Sequence, residues 1–155
     1  MESYLLIALG SSEGFRMFQG RDILRQRKAI RRSIEDTIAA FNARKASDVL
    51  QEYAQNTDVV TTRGEHLRGR GELEDRLEGL FARPGFALQQ RLVDLSIRFV
   101  RDDLALAHVE IEMTGAASAN GKALPPHHEL SLRVYVREGG IWKVTAFHNT
   151  VVAAS

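Results

Sequence analysis

The sequence predicts an α+β protein, with about three helices in the first half packed on a mainly antiparallel sheet drawn from the second half. Three observations carry this. Ile30, Ile34, Ile38 and Phe41 recur at spacings of four, four and three, one stripe of a helix with a period of about 3.6 residues. Leu73, Leu77, Leu80 and Phe81 repeat the pattern. Beyond Pro84-Gly85 the period changes to alternation, and three long segments each carry one apolar face. Such strands need a cover, and the only amphipathic helices lie before them.

Taken in order, residues 1–20 read as a flexible leader, because Gly10, Ser11, Ser12, Gly14 and Gly20 interrupt any period. Residues 21–155 read as a single domain. A first helix is expected over Arg21–Arg44, with its Arg, Lys, Glu and Asp residues on the solvent side. Ser47 reads as the N-cap of a short second helix that turns Val49, Leu50 and Tyr53 inward. Asp58–Thr62 is a β-branched strand, Gly64 a turn, and His66–Arg68 the returning strand of a hairpin. The third helix is expected over Glu72–Phe81.

Ala87–Val100 alternates toward its end, with Val93, Leu95, Ile97 and Phe99 on one face. Ala105, Ala107, Val109, Ile111 and Met113 form the apolar face of the next strand, opposite His108, Glu110 and Glu112. In His128–Arg137, Leu130, Leu132, Val134 and Val136 oppose Glu129, Ser131, Arg133 and Tyr135. Gly139-Gly140 then turns the chain into its last strand, Ile141–Val152. The apolar set of each strand is expected to face the helices. The polar sets then form an outer face, where Arg133 could pair with Glu110 or Glu129 across strands.

Composition excludes several chemistries. The chain has no cysteine, so disulfides, thiolate nucleophiles and cysteine-based zinc sites are ruled out. Its longest apolar run, Tyr4–Leu9, is far short of the roughly 20 residues of a membrane-spanning helix and makes a poor signal peptide. A cytoplasmic protein with no membrane partner is therefore expected. Net charge is +1, yet residues 15–32 hold seven basic side chains against Asp22. That segment reads as a solvated helix face. Phe15 and Phe18 make too thin a stacking platform for nucleic acid to be expected as a partner.

In Ile141–Val152, simple alternation puts Trp142, Val144, Ala146, His148 and Thr150 on one face. An imidazole on such a wall titrates near neutral pH and can move protons, which makes His148 the leading catalytic candidate. The plainer alternative is a core histidine holding the strand in register. Tyr53 is the second candidate, as a phenol donor to a developing oxyanion. Trp142, Phe41 and Phe81 are read as lining for a flat, apolar or aromatic ligand. No metal site is expected, since His127 and His128 point apart in a regular strand. Arg68-Gly69-Arg70-Gly71 lacks the Lys-Ser/Thr of a phosphate loop, and no Gly-rich dinucleotide turn is present.

The element order, with Tyr53-Ala54 before Asp58-Val59-Val60, Leu67-Arg68-Gly69-Arg70, Leu80-Phe81, Pro126-His127-His128 and the closing run Trp142–Thr150, resembles the nuclear-transport-factor-2-like superfamily. Within it the likeness is to SnoaL-like proteins and the SgcJ/EcaC family, over roughly residues 25–152. The resemblance implies a curved, cone-shaped sheet around the helices, a pocket at the open end, a two-fold homodimer through the outer sheet face with Arg133 able to pair across subunits, and a small hydrophobic, polyketide-like ligand. It implies no cofactor, with isomerase or cyclase chemistry by general acid and base as one outcome and a non-catalytic binding or dimerisation module as another. Where ketosteroid isomerase in this superfamily carries its carboxylate base, this chain has Thr61. A hydroxyl is no base near neutral pH, which leaves Thr61 as a lining residue.

Overall fold

The computed structural model describes residues 12–154. In chain order its elements are α1 (Ser12–Asn42), α2 (Ala46–Gln51), β1 (Tyr53–Val60), β2 (His66–Arg68), α3 (Gly69–Phe81), β3 (Gln89–Arg101), β4 (Leu104–Thr114), β5 (His127–Glu138) and β6 (Ile141–Val151). The strands form one six-stranded sheet in the order β2-β1-β6-β5-β4-β3. Every neighbouring pair is antiparallel except β1 with β6. This is the expected α+β arrangement of helices on a curved, mostly antiparallel sheet.

The predicted helix stripes form the core. Ile30, Ile34, Ile38 and Phe41 of α1 are buried, as are Leu73 and Leu77 of α3. They meet Ala105, Ala107, Val109, Ile111 and Met113 of β4, which are all buried too. Asn42 locks the end of α1 to β3, donating to the Gln90 carbonyl at 2.9 Å and accepting from the Gln90 amide at 2.7 Å. Arg27 does the same earlier in the helix, donating to the Ile97 carbonyl at 2.9 Å.

Several local expectations change. The helix already includes Ser12–Gly20 ahead of Arg21, since a glycine inside a helix costs about 1 kcal/mol and does not by itself end it. Residues 1–11 of the expected leader lie outside the described residues. Lys45, not Ser47, is the N-cap of α2, and it makes no side-chain cap bond. Tyr53 is not on a helix. It opens β1, paired with Val144 of β6.

Two strand registers set the inner surface. In β5 the polar set faces in and the apolar set faces out, the reverse of what was expected. The β4–β5 pairing places Glu129 opposite Ile111, Ser131 opposite Val109, Arg133 opposite Ala107 and Tyr135 opposite Ala105. Directly opposed residues share a face, so those four follow the buried β4 set inward and are themselves buried, while Leu130 and Leu132 are exposed. In β6, Tyr135 pairs with Val144 but Val134 pairs with Ala146. Thr145 is thus one extra residue, a β-bulge, and it inverts the alternation from there on. Trp142 and Val144 point inward before it; Phe147 and Asn149 line the interior after it.

Gly115, just beyond β4, has φ +82°, and a Cβ there would sit 2.0 Å from the Ala87 carbonyl oxygen. Gly115→Ala is expected to cost roughly 3 kcal/mol or more, through strain plus that overlap. Gly121→Ala, with φ +80° but open space around it, is expected to cost only about 1 kcal/mol. Urea unfolding of the two variants checks the difference.

Candidate functional site

The inner surface lines a half-open cavity of about 250 Å³ between α1, α2, α3 and the sheet. Its apolar wall includes Phe41, Val49, Leu73, Leu77, Ile111 and Met113. Facing them are polar groups that the two strand registers bring in: Glu129, Ser131 and Arg133 from β5, and Asn149 from β6. Tyr53 and Thr61 also line it, and Arg76 reaches it from α3, paired at 3.0 Å with Glu65.

The polar groups are mutually braced. The Glu129 carboxylate takes the Asn149 amide at 2.6 Å on one oxygen and faces the His127 ring nitrogen at 3.0 Å with the other. Arg133 Nε donates to Ser131 Oγ at 3.3 Å, and its guanidinium lies 5.2 Å from the Phe147 ring centre. Beneath them the Ser33 hydroxyl donates to Glu52 Oε2 and lies 3.5 Å from the Tyr135 hydroxyl. Burial pushes the Tyr53 phenol up to about 12, with the Arg133 charge acting in the opposite direction. Burial likewise raises Tyr135, again opposed by Arg133. Tyr53 is therefore a neutral donor across the physiological range.

Phe41, Tyr53 and Thr61 of the predicted site residues line the cavity. The other three do not. His148 is exposed and paired with Leu132 on the outer face of the sheet, because the bulge at Thr145 turns it outward. Trp142 is buried, but its Nε1 donates to Gln26 at 2.8 Å and its ring stacks edge-on against Phe99, with Arg137 5.5 Å from it. It braces an earlier stretch of α1. Phe81 packs edge-on against Phe41 at 5.3 Å and stands behind it. Arg133 cannot serve an outer-face dimer, being 3% exposed on the inside. His128 rather than Arg133 meets Glu110 there, at 2.7 Å.

Glu129, Arg133, Phe147 and Asn149 escaped sequence reasoning as cavity residues. A signal for the β5 set was present: Glu129, Ser131, Arg133 and Tyr135 alternate as regularly as the leucines and valines opposite them. Periodicity assigns residues to two faces but does not say which is the inner one. No comparable signal marks the bulge at Thr145. Among the described residues, no helix is long and apolar enough to cross a membrane.

No family profile matches the chain, nor does any curated protein. Solved structures do. An uncharacterised protein with a cystatin-like fold from Caulobacter vibrioides superposes with a TM-score of 0.74 at 23% identity, covering 81% of this chain and 89% of that one. A domain of unknown function with a cystatin-like fold from Nostoc punctiforme gives 0.72 at 22%, over 83% and 78%. The hexachlorocyclohexane dehydrochlorinase LinA-type3 of Novosphingobium barchaimii gives 0.77 at 15%, over 88% and 92%. The fold is thus the cystatin-like, nuclear-transport-factor-2-like one.

Because the folded Tyr53 stays protonated to about pH 12 while an unfolded tyrosine ionises near 10, its contribution to stability is full below pH 10 and is lost as pH rises toward 12. Tyr53→Phe is expected to flatten part of this alkaline decline, Tyr135 supplying the remainder. Urea midpoints measured from pH 9 upward (a range set about one unit below the free phenol) check the slope.

Proposed function

We propose that this protein binds a small, largely apolar, polyketide-like molecule in its inner cavity and is of the SnoaL-like, SgcJ/EcaC type. The observation that carries the proposal is the pairing of an apolar wall with buried Tyr53, Glu129 and Arg133 in one cavity. Ordinary cores do not gather such groups, because each costs free energy to desolvate. The likeness to LinA-type3 adds that this fold accommodates a dehydrochlorinase.

The chemistry the cavity supports is cofactor-free proton transfer, as in an isomerase or cyclase. Glu129 takes the role first given to His148: its carboxylate can accept a proton from a carbon beside a ligand carbonyl. Tyr53, kept neutral by burial, can donate a hydrogen bond to the enolate oxygen that forms. The test is hydrogen exchange at the ligand. A ligand retained through native purification and identified by mass spectrometry should gain deuterium in D₂O with wild-type protein. Glu129→Gln should slow that gain by about 100-fold or more, and His148→Ala should leave it unchanged. A retained ligand that exchanges no faster than when free would leave a binding protein without turnover.

A dimerisation role is favoured by a second observation. Leu130 and Leu132, both 37% exposed, stand on the outer face between β4 and β6. His108 and His148 flank Leu132 directly. We assign this face to a two-fold homodimer. Leu132→Glu should convert the dimer to a monomer in light scattering, with ligand retention unaffected; a monomeric wild type would remove the assignment.

A further inference from the structure

Arg133 is 3% exposed, lines the cavity, and its Nη1 has no hydrogen-bond partner. Among the described residues no carboxylate pairs with it: at the cavity Glu65 is taken by Arg76, and Glu129 by the Asn149 amide and the His127 ring. What touches the guanidinium is neutral: the Ser131 hydroxyl, the face of Phe147 and the Tyr135 hydroxyl. A buried guanidinium with neither anion nor full hydrogen bonding is costly, and a cavity ligand can meet that need.

Asn149 supplies an independent second observation. Its Nδ2 faces the Glu129 carboxylate at 2.6 Å, and since a carboxylate accepts, the amide orientation follows. Its Oδ1 is then left buried and without a donor. Asn149 pairs with Ser131 and Phe147 with Arg133 on adjacent strands, so the unfilled donor and the unfilled acceptor are diagonal neighbours on one wall.

We infer that the cavity selects ligands carrying an anionic oxygen, a carboxylate or an enolate or phenolate, seated on Arg133, with a hydroxyl offered to Asn149 Oδ1. This deepens the small-molecule reading above and rests on it. Arg76 is not the recognising cation, because Glu65 already neutralises it.

Calorimetric titration of the full chain with 2-naphthoate and with 2-naphthylmethanol, a neutral ligand of the same ring and similar length, tests the inference. Wild type should favour the carboxylate by about tenfold or more, the scale of one charge-assisted hydrogen bond. Arg133→Met should abolish that preference and, without ligand, keep or raise the melting temperature, because it removes an unpaired buried charge. Arg76→Gln should retain the preference. Should Arg133→Met not fold, Arg133→Gln takes its place, and the wild-type comparison needs no variant. A monohydroxylated naphthoate that gains over 2-naphthoate should lose the gain in Asn149→Leu; if none of the isomers gains, the Asn149 assignment falls. Equal affinity of wild type for the carboxylate and the alcohol overturns the inference and leaves the cavity reading standing. Binding of neither probe overturns both.

Discussion

The register of β5 between β4 and β6 is the constraint on which the interior depends. Ile111, Val109, Ala107 and Ala105 of β4 are committed to the core by burial against α1 and α3. Their partners across the ladder, Glu129, Ser131, Arg133 and Tyr135, share that side of the pleat. A slip of one residue would send all four to solvent and bring Leu130 and Leu132 in. That alternative would make a drier core and no polar cavity wall. The apolar gain it forgoes is modest, on the order of 2 kcal/mol for each leucine, and the small side chains of Ala105 and Ala107 leave room for the longer Tyr135 and Arg133 opposite.

The bulge at Thr145 completes what the register begins. Before it, Trp142 and Val144 are core residues, and Val144 also receives β1 through the backbone bond from its amide to the Glu52 carbonyl at 2.9 Å. After it, Phe147 and Asn149 face the cavity. One strand therefore serves as a packed stave at one end and as a pocket wall at the other. The extra residue also places His148 beside Leu132 on the outside, where an imidazole is solvated and remote from the buried carboxylate.

The buried polar groups fall into two levels. Away from the cavity, buried Ser33 bridges half-buried Glu52 and the buried Tyr135 hydroxyl and ties α1 to β5. Nearer the cavity, Glu129 is braced by Asn149 and His127, whereas Arg133 Nη1 and Asn149 Oδ1 keep unused capacity. A fully satisfied network stabilises a fold, and an incompletely satisfied one at a cavity wall marks where binding energy is available. The contrast separates structural polar residues from those with hydrogen-bonding capacity left over.

The helix stripes, the strand alternation and the turns were legible in the sequence, because each depends on spacing within a single element. The stripe Ile30–Phe41, the set Ala105–Met113 and the turn at Gly139-Gly140 are local patterns, and the α+β class follows from their order. Tyr53 and Phe41 were legible as inward residues, since the segments that carry them are apolar on one side. Which face of β5 turns inward was not legible, because two regular alternating sets differ only in polarity and a polar-lined cavity reverses the usual choice. Nor was the true place of His148, because a bulge is the difference in length between two paired strands, and pairing exists only once the chain has folded. Local periodicity determined the elements; the cross-strand registers decided which side chains meet inside the cavity.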